Sequence, residues 1–232
     1  MKKIALTLLI LCGIVSTYAQ EDFFTPPDFR QIERNIQNPA SSFYYPRLME
    51  RYLAGDSTFT VDEGRHLYFG YVFQPAYVPA DDSRYNQRLA SVLSRTSLTE
   101  TDFTEVLEIT QVLLQEDPFN LRALNAILLV HAQRNNVAEY KKAAWKRRIV
   151  QDAIVSTGDG MSETTPFFVI RIAHEYDILP FLGFRFGGED RRLRGGRMNF
   201  LSLAENRFGV ERLYFDTSAI IDHLNRRGGG RM

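Results

Sequence analysis

Cysteine occurs once in the 232 residues, at Cys12, and the 28 basic side chains are matched by 28 acidic ones. A lone thiol cannot form an internal disulfide, so the chain must hold itself together by packing. A balanced charge gives no long-range field toward nucleic acid or anionic membrane. Histidine is scarce as well. The four, His66, His131, His174 and His223, are scattered. The helical zinc motif that His174-Glu175 would begin fails because Ile178 stands where the second histidine belongs. There is no Gly-x-Ser-x-Gly elbow, no Ser-x-x-Lys set and no Gly-Lys-Ser/Thr phosphate loop. No cofactor, metal site or catalytic residue is therefore assigned.

What is present begins with an export signal. Lys2 and Lys3 precede an apolar run from Ile4 to Val15, and Thr17-Tyr18-Ala19 places small residues where a signal peptidase reads. The run is short for a membrane span. Leu11 is too bulky for a lipobox, which argues against lipid anchoring at Cys12. Cleavage after Ala19 removes the cysteine and two lysines, leaving 26 basic against 28 acidic residues, a net charge of −2. The mature chain is expected in the periplasm or outside the cell, with no membrane span.

Composition is globular, 44% hydrophobic and 24% charged. Residues 20–40, with Pro26-Pro27 and no sustained period, read as a linker or loosely ordered arm, with a short helix around Arg30 to Ile36 as an option. Residues 41–157 read as helical. Pro46 opens a helix that Gly55 stops. Thr60 with Glu63 forms a capping box, Thr99 to Asp102 caps the helix that follows Arg84 to Leu93, and Asn136 with Glu139 caps a long helix from Val137 to Val155. Phe103, Val106, Leu107, Thr110, Leu113 and Leu114 share one helical face; Leu121, Leu124, Ile127, Leu128 and His131 share the next. Between them, Asp117-Pro118-Phe119-Asn120 is the punctuation of a tetratricopeptide-like helix pair, although Leu128 and Tyr140 stand where that repeat wants small residues.

Beyond Gly158-Asp159-Gly160 the period changes to that of strands: Phe167 to Ile172, Leu182 to Phe186, Met198 to Leu203 and Arg212 to Phe215, separated by glycine turns. His174 to Gly183 reads as a short helix and Ser218 to Leu224 as a terminal one. The expected fold class is α+β: N-terminal tetratricopeptide-like helical hairpins, then a small C-terminal antiparallel β-sheet over 158–225 and a disordered tail over 226–232.

The segments Tyr44 to Met49, Arg65 to Tyr71, Ile154 to Gly160, Thr165 to Ile170, His174 to Leu179 and Leu213 to Asp216 resemble the secreted Bacteroidota proteins grouped as domain of unknown function forty-nine nineteen. The resemblance spans nearly the whole mature chain. It implies export and a single module, and carries over no functional residue.

His174-Glu175-Tyr176-Asp177 is the one place where an imidazole crowds against carboxylates. The bland account is that His174 and Glu175 are strand-end polar residues bonded locally. Asp159, His174, Glu175 and Tyr176 are the binding candidates, and a cryptic hydrolase using His174, Glu175 and Asp159 at the helix–sheet junction is the alternative. Basic stripes at Lys141-Lys142 and Lys146-Arg147-Arg148 around Trp145, and at Arg191 to Arg197, read as solvated faces. The favoured expectation is a non-catalytic module that meets a protein or glycan partner in the cell envelope.

Overall fold

The computed structural model describes residues 24–80 and 83–228. The expected signal peptide over 1–19, Cys12 and residues 229–232 of the expected tail lie outside the described residues.

The helices are α1 (Phe29–Gln37), α2 (Tyr45–Ala54), α3 (Val61–Gly70), α4 (Arg84–Leu93), α5 (Glu100–Glu116), α6 (Leu121–Gln133) and α7 (Val137–Val155). Six of these seven begin where a side chain satisfies a free amide of the first turn, and α2 begins instead with Pro46 in its first turn. Thr60 and Glu63 close a reciprocal box on α3, and Thr99 and Asp102 do the same on α5. Asn120 Oδ1 accepts from the Ala123 amide at 2.9 Å to start α6. Gly55, at φ 73°, takes the left-handed turn that ends α2.

The chain then runs through β1 (Phe167–Phe168), α8 (Ala173–Asp177), β2 (Phe186–Leu193), β3 (Met198–Leu203), β4 (Arg212–Asp216) and α9 (Ser218–Gly228). Helices first and a small sheet after make the protein α+β. The sheet order is β1-β4-β3-β2. It is mixed rather than wholly antiparallel, because β1 lies parallel to β4 with Phe167 opposite Phe215. Strand β2 is an exposed edge, bulged across Gly187 to Glu189, so this glycine pair sits inside a strand instead of between two.

The arm is also corrected over its described part. Ile32 and Ile36, four residues apart on α1, are buried at 4% and 1% exposure, each worth about 1.5–3 kcal/mol. Phe29 packs edge-on to Phe69 with ring centroids 5.9 Å apart. Ahead of α1, the Arg65 guanidinium donates to Thr25 O at 2.7 Å and to Ser156 Oγ at 2.7 Å. At the other end, α9 continues to Gly228, so residues 226–228 are helical rather than a disordered tail.

Two hydrophobic cores share α6. One side contributes Ala123, Ala126 and Val130 to a small core with α4 and α5. The other contributes Leu121 and Leu124 to a large core with α2, α3, α7, α8 and the sheet. The Asp117-Asn120 turn sits at their meeting point. Phe119 is fully buried, edge-on to Tyr52 and Tyr71 at 5.2 Å each, and Tyr52 donates its hydroxyl to Pro118 O at 2.8 Å. Asp117 pairs with Arg171 Nε at 2.8 Å, both side chains at most 10% exposed.

Candidate functional site

The junction that the His-Glu-Tyr-Asp run occupies is built by α8, a short helix wedged between the α3–α6 face and strands β2 and β3. His174 is 1% exposed. Its Nδ1 lies 2.7 Å from Tyr68 Oη and its Nε2 lies 3.2 Å from Phe119 O. A carbonyl can only accept, so Nε2 carries the proton and Nδ1 accepts from the tyrosine. Tyr68 Oη in turn accepts from the Ile170 amide at 3.2 Å. Both ring nitrogens of His174 and the Tyr68 hydroxyl are thus bonded to the protein's own atoms. Burial, reinforced by the Arg171 charge, pulls the imidazole down to about 3, so it stays neutral at physiological pH.

Glu175 leaves the other side of α8. It is fully buried, and Asn199 Nδ2 donates to its two carboxyl oxygens at 2.9 and 3.1 Å. Burial pushes its carboxyl up to about 8, against the opposing Asn199 bond. Tyr176 donates to Asp190 on β2, and burial with that bond raises its phenol further above the ordinary range. His174 and Glu175 are thus helical residues with partners distant in sequence, not strand ends bonded locally.

Asp159 makes its bonds in its own loop. Its Oδ1 accepts from Thr165 Oγ1 at 2.6 Å and from the Met161 amide at 2.9 Å. Gly158 is required by close backbone approach, since a Cβ there would stand 2.3 Å from the carbonyl oxygens of Thr165 and Pro166, and Gly160 by its φ of 71° and the Phe167 ring beside it. Gly160 O accepts from the Tyr214 amide at 2.8 Å, docking the loop on β4. Of the four candidates, Glu175 and Tyr176 face the strand side together, His174 faces the helices, and Asp159 bonds within its loop.

A second site lies among the helices. α5 and α7 both pack on α6, and α2 closes one end, leaving a groove of about 290 Å³. Leu53, Leu107, Leu114 and Ile127 line it without being fully covered. Its polar groups are cationic or neutral at one wall. Lys146 is half-buried with its ammonium 5.9 Å from the Tyr52 ring, and burial lowers its pKa. His131 Nδ1 is buried and has no hydrogen-bond partner among the described residues. Burial keeps this imidazole below its ordinary value too. Glu139, also at the groove, is taken by Lys142 at 2.7 Å.

One family model, described as Domain of unknown function (DUF4919), matches residues 30–226, from inside α1 to inside α9. The chain belongs to the DUF4919 family. No curated protein and no solved structure matches it. In this DUF4919 chain no group of three or more metal-binding side chains gathers among the described residues. No helix of the described residues is long and apolar enough to cross a membrane.

The groove escaped sequence reasoning in this DUF4919 chain, although part of its signal was on view. Leu124, Ile127 and His131 share a face of α6, but a periodic face does not say which of its residues a neighbour covers. Leu53 on α2 and Lys146 on α7 join them only through packing.

Proposed function

We propose that this protein is an exported, non-catalytic binding module that holds an apolar, carboxylate-bearing peptide segment of a cell-envelope protein in the groove of α2, α5, α6 and α7. The observation that carries the reading is the groove itself: apolar side chains left part-exposed beside a half-buried Lys146 and a buried, unbonded His131 nitrogen. A peptide carboxylate would give Lys146 a counter-ion where burial now disfavours its charge, and apolar side chains would cover Leu53 and Ile127. Under this reading α4–α5 and α6–α7 act as two tetratricopeptide-like hairpins with the groove on their inner side.

The junction residues support binding over the hydrolase alternative. His174, Glu175 and Asp159 engage the protein's own atoms, and the first two are buried. A general base must reach the proton it removes from substrate.

The test is site-specific photo-crosslinking in cells. A benzophenone side chain at Ile127 should capture one discrete envelope protein, and Lys146→Glu should reduce that yield by about tenfold, the loss of one charge-assisted contact. A yield at Ile127 no higher than at the exposed control position Arg88 overturns the reading. Export is tested separately by N-terminal sequencing, which should give Gln20.

A further inference from the structure

A separate pocket of about 290 Å³ lies between the α2–α3 loop and α7 and shares no lining residue with the groove. Trp145, the only tryptophan of the chain, is 41% exposed on its wall. Phe59 lines it as well, with the Arg51 guanidinium 4.6 Å from its ring centroid. The part of the indole left open is available to a flat partner.

The polar lining is of both kinds. Asp56 and Asp152 supply acceptors, while Arg148 and Ser57 supply donors. Each acid is already fixed in place. Asp56 Oδ2 accepts from Arg51 Nε at 2.7 Å, and its Oδ1 accepts from the Thr58 amide at 2.8 Å. The Thr58 hydroxyl also donates to Oδ1 at 2.7 Å, and that bond first, with the Arg51 and Thr58 amide bonds, holds the carboxyl down at about 2. Asp152 takes Arg148 Nε on both oxygens at 2.9 and 2.7 Å. Carboxylate oxygens have further lone pairs, so a second donor can be accepted without breaking these bonds.

Three ligand classes can be weighed against this set. An anion would meet two carboxylates. A cation would meet Arg148 and leave the Ser57 hydroxyl donor unused. A neutral ring bearing hydroxyls both donates and accepts at every position, and its C–H face stacks on an indole. We propose that this pocket binds a sugar ring, with Trp145 as the platform and Asp56, Asp152 and Arg148 as the hydroxyl partners. Because Asp56 and Asp152 are held before the ligand arrives, little ordering cost falls on binding. The cavity stands at the small end of the range of small-molecule sites, about 300–1,000 Å³, which suits one ring of a chain rather than several.

Trp145 reports on its own site, since no other tryptophan contributes to the emission. The mature protein is titrated with cellohexaose, chitohexaose, maltohexaose, xylohexaose and mannohexaose. At least one should give a saturable change in emission, with a Kd between about 10 μM and a few mM. By calorimetry with that sugar, Trp145→Ala should weaken binding by at least about tenfold, and Asp56→Asn by a similar factor. Trp145 is exposed, so its replacement leaves the core intact. Ile127→Glu, in the groove, should leave sugar binding unchanged, which separates failure of this site from failure of the peptide reading. No response to any of the five sugars overturns the proposal. So does a saturable response to tetramethylammonium or sulfate in place of the sugars, or sugar binding that survives Trp145→Ala.

Discussion

Replacing Glu175 by Gln should stabilise the protein at neutral pH by an amount that pH itself sets. The wild-type carboxyl is buried, and burial moves it from an ordinary 4.5 up to about 8. Between those two values the folded protein keeps a proton that the unfolded chain has released. Stability is therefore fully present below pH 4.5, declines as pH rises, and has lost this contribution above pH 8. At about 1.4 kcal/mol per pH unit the whole loss is about 5 kcal/mol, and the part reached by pH 7 is about 3 kcal/mol. Gln has the same shape and no proton to lose. Its amide oxygen can keep the bond from Asn199 Nδ2. Denaturant unfolding of the mature wild-type and variant chains across that pH range is the assay. The two should be within about 1 kcal/mol of each other at the acid end and diverge steadily toward pH 8. A difference that does not change with pH, or a variant weaker at every pH, would refute the argument that Glu175 sits protonated against Asn199.

His174 gives the opposite slope: with its imidazole depressed from 6.5 to about 3, stability is present above pH 6.5 and lost as pH falls toward 3. Together the two groups predict a flat stability maximum between pH 4.5 and 6.5, checked by the same unfolding series on wild type. Tyr68→Phe strips the partner from both His174 Nδ1 and the Ile170 amide and should cost about 2–4 kcal/mol by denaturant midpoint. Arg171→Met leaves Asp117 without its buried cation and should cost about 3–5 kcal/mol, part of it recovered when Asp117→Leu is added. Arg65→Ala frees the segment ahead of α1 and should raise its cleavage rate in limited proteolysis by about tenfold, with the global midpoint little changed.

The helical half was legible because its signals are local. The boxes at Thr60–Glu63 and Thr99–Asp102 and the cap at Asn136 each lie within four residues, so the chain carries the whole interaction in one window. α7 runs from Val137 to Val155 as the spacing and caps require. The sheet was legible only in part. Met198 to Leu203 and Arg212 to Asp216 are strands and pair, but the parallel pairing of β1 with β4 depends on where the helices deliver the chain. α1 was half seen, since Ile32 and Ile36 show a helical period too short to argue burial. At the junction, the residue types were right and their environment was not. His174 reaches partners 106 and 55 residues away, and Glu175 reaches Asn199 24 residues on; no window of sequence contains such pairs.

The Phe119 turn also bears on folding time. Its carbonyls collect Tyr52 from 66 residues upstream and His174 from 55 residues downstream. Loops of that length must close before any of these bonds repays the entropy lost, so the rate is set by these few distant contacts and not by the quick coiling of the helices. A helix-rich chain is thereby expected to fold at the pace of a mixed α/β one. The same clasp joins α2, the α5–α6 turn and α8, and it must open before these can part, which lengthens the lifetime of the native state.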